Sequence, residues 1–142
     1  MGALKSMLEN EVVYITGASS GIGFATAELC LKKGATVIIT GRNKNNLDKA
    51  NKNLLKISSK VVKHNIDVSL ESEITDSLKD VYKSFGKIDA LVNNAPSIHT
   101  GKIIDLDLAA WRTNFKANLD AVFLSTQTVL PVVQSSNNCA VV

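Results

Sequence analysis

Val12-Val13-Tyr14-Ile15-Thr16 runs directly into Gly17-Ala18-Ser19-Ser20-Gly21-Ile22-Gly23, and this junction decides the fold. The first part is β-branched and apolar on successive positions, the pattern of a strand buried on both faces. From Gly21 the apolar period lengthens to that of a helix. Ile22, Ala25, Leu29 and Lys32 are expected to share a face, and Gly34 is a C-terminal stop. A glycine-rich turn between a strand and a helix has a physical use. Gly17 permits a tight exit from the strand, Gly21 lets backbone amides approach a ligand, and Gly23 lets helix and strand pack. The helix start then offers free N–H groups and a positive dipole end to a pyrophosphate, with Ser19 and Ser20 as added hydroxyl donors.

The same alternation continues outward. Ala35 to Thr40 reads as a second buried strand, and Leu47, Ala50, Leu54 and Ile57 as the inner stripe of a second helix. Lys60 to Asn65 is a short third strand. Ser69 is the expected cap of the next helix, with Glu71 and Glu73 complementing its dipole. Ile74, Leu78, Val81 and Phe85 line that helix, and Gly86 ends it. Ile88 to Asn93 is a fourth strand. Asp107 caps a long helix whose stripe is read as Trp111, Phe115, Val122, Thr126 and Val129, to be kinked or ended at Pro131. After Asn137-Asn138, Cys139 to Val142 looks like a fifth strand just starting. Strands buried on both faces and separated by helices require right-handed crossovers and a parallel sheet. The expected fold class is therefore α/β, a Rossmann-type doubly wound parallel sheet cut in its fifth strand, with residues 1–142 forming one incomplete dinucleotide-binding domain.

Composition narrows the partners. The chain has 142 residues, 45% apolar and 20% charged, with a net charge of +3. That excess is small and scattered, so nucleic acid is not expected as a partner. No stretch approaches the roughly 20 apolar residues of a spanning helix, so a membrane is not expected either. The two cysteines, Cys30 and Cys139, are far apart and make neither a disulfide framework nor a zinc site. Lone thiols and no apolar leader point to the cytoplasm. Met-Gly-x-x-x-Ser at the start matches the pattern for myristoylation at Gly2, against the plainer reading of a soluble tail.

The end of the second strand bears on which dinucleotide would sit here. A fold of this kind that prefers NAD places a carboxylate there for the ribose 2′-hydroxyl. Between Glu28 and Asp48 the chain has no acid, and the strand runs into Thr40-Gly41-Arg42-Asn43-Lys44. Arg42 offers a planar, permanently charged fork suited to a 2′-phosphate. The expected cofactor is NADP, with NAD the less favoured alternative and Arg42 and Asn43 as its contacts. A solvated surface Arg42 is the plain alternative. Asp67 follows the third strand, and its carboxylate and the Val68 amide are candidate partners for an adenine ring. A local capping role for Asp67 near Ser69 is the competing reading.

Thr16 to Gly23 resembles the TGxxxGIG loop of the short-chain dehydrogenase/reductase family. Asn65-Ile66-Asp67-Val68 resembles its Asp-Val pair, Asn93-Asn94-Ala95-Pro96 its NNAG stretch, and the WRTNFKAN segment ending at Asn118 its catalytic-site helix. The matches run in order along the chain. The resemblance adds Asn93, Asn94 and Ala95 to the cofactor contacts. It implies hydride transfer between a nicotinamide and an alcohol or carbonyl substrate, with Asn118 in a water-mediated proton path. It also implies a full domain of about 250 residues, carrying a serine and a Tyr-x-x-x-Lys after the fifth strand. Tyr14 and Tyr82 are followed at the fourth position by Ala18 and Gly86, so neither stands in. The 142-residue chain alone is expected to be inactive. The alternative is a catalytically dead dinucleotide-binding or partner-binding module. Pro96 replaces the family's glycine, which bears on the geometry of Asn93 to Ala95. Asn118 is expected on the buried stripe, with a structural tie of helix to strand as the competing role. The Asp107–Val129 helix is the candidate homo-oligomer contact. His64 and His99 are given no role.

Overall fold

The computed structural model describes residues 6–133 and 139–142. The Gly2 motif and Asn137-Asn138 lie outside the described residues. Five strands, β1 (Val12–Ile15), β2 (Thr36–Thr40), β3 (Val61–His64), β4 (Ala90–Val92) and β5 (Ala140–Val141), form one sheet in the order β3-β2-β1-β4-β5. Every pairing is parallel. The chain crosses back through α1 (Gly21–Lys32), α2 (Lys44–Leu54) and α3 (Glu71–Phe85). A long helical stretch then leads to β5. It comprises α4 (Leu108–Phe115), a π-helical turn (Lys116–Asp120) and α5 (Ala121–Val133). The strand order reverses between β1 and β4, the switch point where such sheets open a crevice at their carboxyl ends.

Alternation along the strands sorts the core into two layers. Val13, Ile15, Val37 and Ile39 pack with Ala27, Leu31, Leu47, Ala50 and Leu54 on the α1–α2 side. Val12, Tyr14 and Ile38 pack with Ile74, Leu78, Val81 and Val129 on the other. Both faces being covered explains why the strands read as continuous apolar runs rather than alternating ones.

The helix faces differ from their expected phase in two places. In α1 the buried residues are Gly23, Ala27 and Leu31, while Ile22 is 81% and Leu29 58% exposed. Close packing on the sheet selects the small Gly23 and Ala27, and Leu31 completes the row. The phase is fixed where Gly23 abuts Gly17 O and the Asn94 side chain. In the long helix the buried row is Ala117, Ala121, Ser125 and Val129, and Trp111, Phe115 and Val122 are exposed. The π turn inserts extra backbone per turn, so a single 3.6-residue stripe cannot persist from Trp111 to Val129.

Smaller corrections follow the same logic. Ile57 lies beyond α2 and Phe85 at the last turn of α3, both partly exposed. Leu70, not Ser69, is the N-cap of α3; Ser69 is instead held by Asp67. Pro131 lies inside α5, which continues to Val133, and the helix is irregular at the π turn instead. Two expected helix ends are found as read, and Asn43, read as a cofactor contact, is the N-cap of α2. Asp107 Oδ1 accepts from Ala110 N at 2.6 Å, and Gly86 closes α3 with φ +72°.

Candidate functional site

A cleft of about 360 Å³ opens at the carboxyl edge of the sheet. Its lining combines Gly17, Ser19 and Ser20 from the first turn, Thr40 to Asn43 from the end of β2, Ile66 to Val68 after β3, and Ala95 and Pro96 after β4. The loops after four strands, with Ala117 of the π turn, therefore meet where the strand order reverses.

The β1–α1 turn forms one wall. Gly17 sits at φ +65°, and a Cβ there would lie 2.6 Å from Ala95 Cα, so the turn and the β4 loop are in backbone contact. Gly21 is at φ +58° with nothing within 4 Å of its Cβ position. Glycine alone takes this backbone region without strain. Helix α1 begins without a side-chain cap and without an acid in its first turn. By contrast, Asn43 Oδ1 caps α2 and Asp107 caps α4. The first amides of α1 and the hydroxyls of Ser19 and Ser20 have no partner among the described residues, and the positive end of the helix is uncompensated. Ile22 lies on the outer face of that first turn, away from the cleft lining.

Thr16 ties the walls together. Its Oγ1 accepts from Asn94 N at 2.9 Å and from Ala95 N at 3.0 Å. The Asn94 amide donates to Thr16 O and Gly17 O, both at 3.0 Å. Asn94 therefore holds the glycine turn rather than facing the cleft. Asn93 Oδ1 accepts from Ser125 Oγ at 2.7 Å, which anchors the β4 loop to α5. Pro96 lines the cleft while the preceding amides keep these bonds.

At the opposite wall, Arg42 is exposed and has no ion pair among the described residues. Its loop is held by Asn65 Nδ2, which donates to Gly41 O at 2.7 Å and to Arg42 O at 3.1 Å. Asn43 is occupied as the α2 cap. Lys44 pairs with Asp48 at 2.8 Å, and Lys63 also reaches Asp48. Hydrogen bonds from these two lysines hold the Asp48 carboxyl below its usual range. Asp67 Oδ1 accepts from Ser69 N and Oγ at 2.9 and 2.8 Å, and Asp67 N donates to Glu73 Oε2 at 2.7 Å. The local capping reading of Asp67 is thus present in part. Asp67 Oδ2 and the Val68 N–H have no partner among the described residues and remain free at the cleft wall.

Asn118 is not buried: it lies in the exposed part of the π turn. Its Oδ1 accepts from Ser97 N at 2.9 Å and its Nδ2 donates to Ser97 O at 2.7 Å. Asn114, four residues earlier, makes the same clamp on His99 N and O, each at 2.9 Å. Together they hold the loop after Pro96. Asn114 was absent from the sequence reading, although its spacing from Asn118 placed both on one helix face. Also missed was a buried chain in which Tyr14 OH, Ser77 Oγ and His64 Nδ1 are linked at 2.6 and 2.7 Å. Burial pushes the Tyr14 phenol upward and the His64 imidazole below its ordinary value. A buried tyrosine already bonded to Ser77 offers no proton to the cleft.

The model of the short chain dehydrogenase family matches residues 11–142. The chain belongs to the short-chain dehydrogenase family. It is 36% identical over 135 residues to the 3-oxoacyl-(acyl-carrier-protein) reductase FabG of Thermotoga maritima, covering 95% of this chain and 55% of that protein. A metagenomic short-chain oxidoreductase solved in complex with NADP superposes with a TM-score of 0.89 at 27% identity, covering 94% of this chain and 61% of the other. An NAD+-bound xylitol dehydrogenase shares the fold with a TM-score of 0.88 at 24% identity, covering 95% and 52%. This short-chain dehydrogenase chain spans a little over half the length of the curated relatives it matches. Among its described residues no helix is long and apolar enough to cross a membrane, and no cluster of three metal-ligating side chains occurs.

Proposed function

We propose that residues 1–142 are the dinucleotide-binding part of one Rossmann-type domain, and that the cleft at its carboxyl edge takes NADP in preference to NAD. The observation that carries this reading is the convergence of an uncapped helix start, an unpaired Arg42 and the free Asp67 and Val68 groups on one cleft. The amides opening α1, with Ser19 and Ser20, fit a pyrophosphate. Arg42 fits a ribose 2′-phosphate, and no carboxylate follows β2 to repel it. Asp67 Oδ2 accepts from the adenine amino group and Val68 N–H donates to the ring. Gly17, Asn93, Asn94 and Ala95 shape the remaining wall.

The reaction proposed for the full-length form is hydride transfer between the cofactor and an alcohol or carbonyl substrate. When bound, the nicotinamide supplies or accepts the hydride. Asn118 spends one donor and one acceptor on Ser97, which leaves one N–H and one lone pair for a water on the substrate side. Its first task is to position the loop after Pro96. The 142-residue chain alone is proposed to bind and not to turn over. Tyr14 is buried and bonded, and Tyr82 lies on α3 with no lysine four residues on. That observation also favours the second reading, a dinucleotide-sensing module without catalysis. Leu119 of the π turn and Phe123 and Leu130 of α5 line an exposed apolar groove, which supports the long helix as the homo-oligomer contact. Two free thiols suit a reducing, cytoplasmic setting.

The test is titration of the 142-residue chain with NADPH and NADH, alone and as Arg42→Ala. Loss of a charge-assisted clamp weakens NADPH by roughly 10- to 100-fold and NADH little. Equal loss of both would remove Arg42 from the phosphate site.

A further inference from the structure

Thr40 ends β2 at the floor of the cleft, and its side chain is 0% exposed. Val37 and Ile39 face the α1–α2 layer, and Ile38 faces α3. Alternation therefore places the Thr40 side chain on the α3 side. That is the side of Ile66 and Val68, beneath the wall assigned to adenosine. Its β3 neighbour in register is His64, whose ring is already bonded to Ser77. Thr16, which ends the neighbouring strand, uses its hydroxyl fully, on Val92 O and on the amides of Asn94 and Ala95. The Thr40 Oγ1 has no hydrogen-bond partner among the described residues.

A buried hydroxyl left without a partner is a net cost to the fold, and valine would fill the same space in a strand without it. The orphaned group thus points to a partner that arrives from outside. Resting on the dinucleotide reading above, we propose that Thr40 is a binding residue for the adenosine half of the cofactor, its hydroxyl completing a hydrogen bond when the nucleoside enters.

The test compares Thr40→Val and Thr40→Ser in the 142-residue chain, using NADPH and 5′-AMP as probes and thermal unfolding without ligand. Thr40→Val is expected to melt no lower than the wild type. It should bind both probes about five- to tenfold more weakly, the size of one neutral hydrogen bond. Thr40→Ser keeps the hydroxyl and should keep the affinity. A wild-type chain that binds both probes while Thr40→Val binds them equally well would overturn the assignment and leave the cofactor reading standing. Weakening confined to NADPH would also overturn it, because the contact would then lie outside adenosine. A lower melting point for ligand-free Thr40→Val would do the same, by showing that the hydroxyl already has a partner. Failure of the wild type to bind either probe would instead bring down the cofactor reading itself, and the role of Thr40 with it.

Discussion

Arg42 and His64 sit within one loop of each other yet play opposite electrostatic parts. Arg42 is exposed and unpaired, a charge held in reserve. His64 is half-buried against Ser77, and burial lowers its pKa below the ordinary 6.5, with the Asp80 charge working the other way. The unfolded chain therefore takes up the proton at a higher pH than the folded one. The His64 contribution to stability is complete above about pH 6.5. It falls as acid is added, until the lowered folded value is passed. Urea unfolding at about pH 7.5 and about pH 5.5 should show this loss in the wild type and a shallower one in His64→Gln. Identical slopes would mean that the ring titrates as it does in water. The lack of an acid between Glu28 and Asp48 was legible because it is a property of the sequence itself. The Tyr14–Ser77–His64 chain was not. It joins three elements, and nothing local to any of them announces the other two.

Among the elements, the β1–α1 turn is the most constrained. At Gly17, the φ of +65° and the 2.6 Å approach to Ala95 Cα leave no room for a side chain. Gly17→Ala should cost about 2–5 kcal/mol, from left-handed strain together with overpacking. Denaturant unfolding measures it, and a near-neutral change would show that the β4 loop yields. The turn and the order of strands and helices were readable because glycine placement and apolar runs are set by local backbone demands. The faces of α1 and the long helix were not. In α1, small residues rather than large ones make the closest approach to the sheet, so hydropathy points to the wrong side. In the long helix the Lys116–Asp120 π turn shifts the phase, and Asn118 comes out of the stripe into which a regular helix would have placed it. Asp67 lies between these cases. Its position after β3 was clear, but the bond of its amide to Glu73 was not, because that carboxylate reaches back from α3.

For the whole molecule, the two core layers are complete around β1 and β2, while the α5 side remains apolar toward solvent. Phe123 is 60% and Leu119 57% exposed, beside a groove of about 470 Å³. Such a surface favours association. Sedimentation of the chain should give a dimer or larger species, and Phe123→Glu should shift it toward monomer. A monomeric wild type would remove the long helix as an interface. At the other edge, the cleft gathers the loops after four strands at the switch point of the sheet. The most direct measurement is backbone amide mapping by NMR during addition of NADPH to the 142-residue chain. Saturable shifts are expected at Gly17 to Gly23, Arg42, Asp67, Val68 and Ala95. None is expected at Glu11, Thr36 and Lys60, which lie at the far ends of the strands. No shifts, or shifts centred on that far edge, would contradict the cofactor reading.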